Sequence, residues 1–124
     1  MTAPILDKTI LAQFTGSETW YRHSLNQRVL YTDGAKYVAD HGGSCGAYWL
    51  LDEIALTQLS EPKVAAEGFQ VWTLTVHADS TATLTCEDGN SQPVFSKALE
   101  YTDFQQDGIT LWFTDNTVFL PSEY

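Results

Sequence analysis

The stretch that decides the fold is Phe69-Gln70-Val71-Trp72-Thr73-Leu74-Thr75-Val76-His77-Ala78, followed after Asp79-Ser80 by Thr81-Ala82-Thr83-Leu84-Thr85-Cys86. Apolar and polar residues alternate through both runs. Trp72, Leu74 and Val76 share one side and Thr73, Thr75 and His77 the other, then Ala82, Leu84 and Cys86 oppose Thr81, Thr83 and Thr85. A period of two is the mark of a half-buried strand, and the short Asp79-Ser80 link suits a hairpin. Downstream, Glu87-Asp88-Gly89-Asn90 is a turn. Val94 to Tyr101, Ile109 to Thr114 and Val118 to Leu120 are further strands, separated in part by Asp107-Gly108 and Asp115-Asn116.

Upstream the period changes. Leu6, Ile10 and Phe14 recur every four residues, with Leu11 beside them, and predict a helix stopped at Gly16. Trp20 to Leu25 and Val29 to Thr32 read as extended around a turn at Asn26-Gln27. Asp33 is placed to cap a short helix through Ala35, Tyr37 and Val38 that stops at Gly42-Gly43. Ser44 is placed to cap a longer one over Gly46 to Leu59, whose Ala47, Leu50, Leu51, Ile54 and Ala55 fall on one face. The polar Ser60-Glu61-Pro62-Lys63 is the expected linker. Helices followed by a meander of strands predict one α+β domain over residues 1–124. N-terminal helices pack on a C-terminal antiparallel sheet of four to six strands, and the sheet's threonine-rich face is left for water or a partner.

With 124 residues, 44% of them hydrophobic, the chain has enough apolar surface for one ordinary core and none of the composition of a disordered protein. Its charge is lopsided. Sixteen acids face six bases, a net −10, and residues 64–124 hold nine acids against Lys97 alone. That balance excludes non-specific nucleic-acid or anionic-membrane binding, which needs clustered Lys and Arg. The N-terminus lacks the pattern of a secretory signal, and no run reaches the roughly 18 apolar residues of a membrane helix, so a cytoplasmic protein is expected. In that setting Cys45 and Cys86 are expected as reduced thiols.

Phe14-Thr15-Gly16, Tyr21-Arg22-His23, Leu30-Tyr31-Thr32-Asp33-Gly34 with Lys36-Tyr37, Ala47-Tyr48-Trp49-Leu50, Phe69-Gln70-Val71-Trp72, Tyr101-Thr102-Asp103-Phe104 and Leu120-Pro121-Ser122-Glu123-Tyr124 occur in that order. Together they resemble an uncharacterised bacterial domain family of unknown function, over nearly the whole chain. The resemblance implies a bacterial, phage or plasmid origin and a small protein acting on host machinery. It carries no catalytic roles, and that family's pattern has no cysteine where Cys45 stands.

The densest polar and aromatic group is Tyr21, Arg22 and His23 with Tyr31, Asp33 and His41. Arg forks onto carboxylate or phosphate and His titrates near neutrality, so the group is a candidate site for an anionic ligand or for proton transfer. The competing reading is that Arg22 pairs with one of the acids and His23 bonds within the fold. Cys45, in Gly42-Gly43-Ser44-Cys45-Gly46 before a helix, has the outline of an activated thiol, but no orienting group or oxyanion site accompanies it. The three His and two Cys form no metal-ligand spacing, and neither glycine-rich nucleotide motif is present, so neither a metal nor another cofactor is expected. Asp52-Glu53 reads as a solvated helix edge, while Asp103, Asp107 and Asp115 read as loop acids. Trp112 falls out of phase with Leu111 and Phe113 and, with those three acids, marks a candidate interface. The expected function is that of a binding or regulatory module for an unknown protein partner, or a homodimer. The alternative is a small enzyme or ligand-binding domain using Tyr21-Arg22-His23.

Overall fold

In the computed structural model, residues 8–11, 13–16, 19–43, 46–104 and 107–123 are described. Among the described residues seven strands form one sheet: β1 (Trp20–Arg22), β2 (Leu30–Thr32), β3 (Phe69–Val76), β4 (Ala82–Asp88), β5 (Pro93–Leu99), β6 (Gly108–Thr114) and β7 (Thr117–Phe119). Their order across the sheet is β1-β2-β7-β6-β3-β4-β5. The helices are α1 (Lys8–Leu11), α2 (Asp33–His41), α3 (Tyr48–Ser60) and α4 (Pro62–Ala65), and a 3₁₀ turn covers Pro121–Glu123.

The α+β class is as expected, but the sheet is larger than four to six strands and is not wholly antiparallel. The N-terminal third supplies two of its strands. β2 lies parallel to β7, with Leu30 opposite Thr117 and Tyr31 opposite Val118, and every other neighbouring pair is antiparallel. Short strands of three residues carry too little alternation to announce that pairing, which joins the two ends of the chain.

The β3–β4 hairpin is the one the alternation predicts. Trp72 faces Cys86 and Leu74 faces Leu84, and all four are buried. Asp79 Oδ1 accepts from Thr81 N (3.1 Å) and Thr81 Oγ1 (2.6 Å) to close it. Asp88 Oδ1 similarly accepts from the amides of Asn90 and Gln92 in the next turn. The β6–β7 link is a tight turn with Asp115 and Asn116 at φ +52° and +57°, the conformation that short Asp and Asn side chains tolerate.

Helix boundaries shift for local reasons. Thr32, not Asp33, caps α2: its Oγ1 accepts from Ala35 N at 3.3 Å, and Asp33 is the first helical residue. Among the described residues the first helix covers only Lys8–Leu11. α3 begins at Tyr48 and has no side-chain cap at Ala47, while the expected cap Ser44 lies outside the described residues. Gly46, at φ +83°, turns the chain into it; a Cβ there would meet the Ala39 carbonyl at 2.7 Å. The expected linker is a corner. Glu61 ends α3 and Pro62 starts α4, using the position where a missing N–H costs nothing.

One core draws on both halves of the sequence, from Val29, Val38, Leu50 and Ile54 to Trp72, Leu84, Leu111 and Val118. Gln70 is wholly buried within it. Its side chain bonds Gln58 on α3 and the Val64 carbonyl on α4, and accepts from Trp72 Nε1 at 2.9 Å, so every polar atom is satisfied. No helix among the described residues is long and apolar enough to cross a membrane.

Candidate functional site

Pairing of β1 with β2 sets Tyr21 opposite Tyr31, so their rings share a side and stack at 5.5 Å and 24°. α2 starts directly after β2 and brings Asp33 Oδ1 within 3.1 Å of the Tyr21 hydroxyl, which donates to it. One turn later the Lys36 ammonium sits 5.5 Å over the Tyr21 ring and pairs with Asp40 at 2.7 Å. Tyr48 donates to the other Asp40 oxygen at 2.6 Å. Burial tends to raise the Asp40 carboxyl, but hydrogen bonds from Lys36 and Tyr48 outweigh it and hold the group below its usual range. The Tyr21 phenol is raised by its bond to Asp33, and that of Tyr48 by burial and by its bond to Asp40. Both therefore stay protonated donors at neutral pH. This edge is a phenol–carboxylate network around one internal cation, Lys36.

The other members of the predicted cluster go elsewhere. His23 is 4% exposed and points toward α3. Its Nδ1 accepts from the amides of Leu25 (3.2 Å) and Asn26 (3.0 Å). The ring proton is thereby fixed on Nε2, which donates to Asp52 Oδ1 at 2.7 Å. With both nitrogens committed, His23 holds loop 23–29 against α3 and has no lone pair for general-base work. Arg22 projects from the opposite side of β1 and donates to the Gln27 carbonyl. His41, at the end of α2, stacks on Tyr37 at 4.3 Å and donates from Nδ1 to the Tyr37 carbonyl. Tyr21, Tyr31 and Asp33 meet, whereas Arg22, His23 and His41 occupy three other places.

Asp52-Glu53 is likewise not a free solvated edge. Adjacent helical residues diverge, and here each takes a cation or donor from a different element: His23 for Asp52, and Lys97 of β5 for Glu53 at 2.7 Å. Cys86 is a buried free thiol pushed up to about 12 by burial and by Glu67, Glu87 and Asp88. Cys45 lies outside the described residues. Among the described residues no three His, Cys, Asp or Glu come close enough to hold a metal.

The strand registers place Val71, Thr73 and Thr75 of β3, Thr83, Thr85 and Glu87 of β4, and Thr110, Trp112 and Thr114 of β6 on the face opposite the core. No helix among the described residues packs on this face. Trp112 is half-buried there, edge-on to Phe69 at 5.2 Å and to Phe119 at 6.1 Å. Beyond Phe119 a recess of about 320 Å³ is lined by Trp20, Thr32, Thr114, Asp115, Thr117 and Glu123. The Trp20 side is 54% exposed. The acids grouped with Trp112 separate: Asp115 borders this recess, Asp107 stands at the opposite end of β6, and Asp103 packs beside Gly43 on the helix side. The sequence reading missed Trp20, Phe69 and Phe119 as companions of Trp112. The phase of Phe69 with Val71 was visible, but the rest needed the β6–β7 and β1–β2 registers.

The model of the family of unknown function DUF6876 matches residues 6–124, and the chain belongs to that family. No curated protein and no solved structure matches it.

Proposed function

We propose that this member of a family without known activity is a protein-binding module whose open sheet face receives a lysine- or arginine-bearing segment of a partner. The observation that carries the reading is the charge of that face. β3 to β7 contain one cation, Lys97, and it stands on the core side, tied to Glu53, while Arg22 at the β1 edge shares the open side and is held by the Gln27 carbonyl. The open face presents threonines, the half-buried Phe69 and Trp112 with Phe119 buried beside them, and carboxylates at its margins, Glu87 and Asp115 among them. A cationic side chain entering the Trp20 recess gains a ring face, worth about 0.5–2 kcal/mol, with Asp115 and Glu123 beside it. A net charge of −10 steers a basic partner toward it. A second copy would bring the same cation-poor face, so the charge balance favours a different, basic protein.

The test compares Thr73→Arg, in the centre of the open face, with Glu61→Arg, an exposed residue at the α3–α4 corner. Each is used to capture partners from a bacterial lysate at low and high salt. The reading expects a basic protein retained at low salt by the wild type and by Glu61→Arg and released by Thr73→Arg. Equal retention by both variants, or retention indifferent to salt, contradicts it.

A further inference from the structure

A second cavity, of about 390 Å³, lies between loop 23–29, the end of α3, the α4–β3 link and the β6–β7 turn. Its apolar lining includes Val29 and Phe113, both buried, and Leu59, which is 66% exposed. Arg28, Glu67 and Asp115 line it too. In a chain with sixteen acids, two exposed cations have no carboxylate or carbonyl partner among the described residues, Lys63 and Arg28, and of these only Arg28 lines the cleft. Lys36 and Lys97 have carboxylate partners and Arg22 has a carbonyl, but the Arg28 guanidinium makes no ion pair or hydrogen bond among the described residues. The Glu67 and Asp115 carboxylates likewise make no hydrogen bond or salt bridge there. The amides that also line the cleft, Asn26 and Gln58, are already used, by the Ala55 carbonyl and by Gln70. The groups left for a ligand are therefore one fork-shaped cation, two carboxylates, the Asn116 side-chain amide and an apolar surface.

We infer that this cleft binds a small zwitterion with an apolar side chain, an amino acid or dipeptide. Arg28 takes the carboxylate, in the bidentate geometry a guanidinium favours. Glu67 and Asp115 take the ammonium, and the side chain lies on Val29, Phe113 and Leu59. The volume falls within the range of small-molecule sites, roughly 300–1,000 Å³. This goes beyond the partner-binding reading and does not depend on it, since only Asp115 borders both the cleft and the open-face recess.

Gly68 supplies a clean block. A Cβ built there meets nothing within 4 Å, so a Gly68→Ile side chain starts in open space at the cleft wall and adds bulk there. The experiment is a backbone-amide NMR titration with L-leucyl-L-leucine, repeated with its N-acetyl and C-amide forms. Saturable shifts at Val29, Gly68, Phe113 and Asn116 are expected, with affinity falling by about tenfold or more when either terminus is capped, or in Arg28→Gln. Gly68→Ile is expected to keep the wild-type spectrum elsewhere and lose the titration. No saturable shift at those amides, equal binding of the capped forms, or binding unchanged in Gly68→Ile would each overturn the inference. Thr73→Arg leaves this titration intact, which separates its outcome from that of the open-face proposal.

Discussion

Replacing His23 with alanine is the sharpest test of what the Tyr21-Arg22-His23 motif is for. The imidazole is 4% exposed and makes three hydrogen bonds. Removing it leaves the buried Asn26 amide without an acceptor, which costs about 2 kcal/mol. The Leu25 amide, on a residue 65% exposed, is rehydrated and costs below about 1 kcal/mol. Loss of the Asp52 bond adds about 1 kcal/mol, because that carboxylate stays partly in water. The total is about 3–4 kcal/mol, equivalent to a fall in melting temperature of roughly 12 °C for a domain of this length. Asp52→Asn keeps an oxygen that accepts from Nε2–H and should cost less than about 1 kcal/mol. Urea unfolding followed by circular dichroism measures both. A His23→Ala protein within about 0.5 kcal/mol of wild type would refute the assignment of His23 as the tether of loop 23–29.

Three further outcomes follow from the same geometry. The Asp40 carboxyl lies below its ordinary value of 3.8 in the folded state, so its contribution is present above that pH and lost as pH falls through the folded value. Asp40→Asn should therefore flatten the acid limb of the stability profile below pH 3.8 relative to wild type, as measured by thermal melts across pH. Gly34→Ala should destabilise by about 1–3 kcal/mol, against the usual gain of alanine over glycine in a helix. Its Cβ would lie 2.5 Å from Glu123 Oε1 and 2.7 Å from Leu120 Cδ1, and calorimetry gives the sign directly. With Cys45 replaced by serine, the remaining buried thiol, pushed up to about 12, should resist Ellman's reagent in native buffer and react fully in denaturant.

The central strands were legible because Trp72 to Val76 and Ala82 to Cys86 alternate without a break and leave no second register: a one-residue slip would expose Trp72 and Leu84. β1, β2 and β7 are three residues each, too short for that argument, so their joining of the two chain ends was hidden. Caps were misplaced by one residue where Thr32 and Asp33 are both competent and only the bond to Ala35 decides. Of the site, the Tyr21–Tyr31–Asp33 grouping could be read from proximity in sequence. The departure of His23 to Asp52, 29 residues away, could not. Trp112 was separable from the core by its phase. Its companions Phe119 and Trp20 come to the same face only through pairings that no local pattern encodes.

The central claim is that the open sheet face is where a basic partner sits. Carbodiimide cross-linking of the wild-type protein with a partner captured at low salt, read by mass spectrometry, tests it most directly. The account predicts links from Glu87 and Asp115 to lysines of the partner, lost in Thr73→Arg. Links confined to Asp52, Glu53 and Glu61 on the helix side would contradict it.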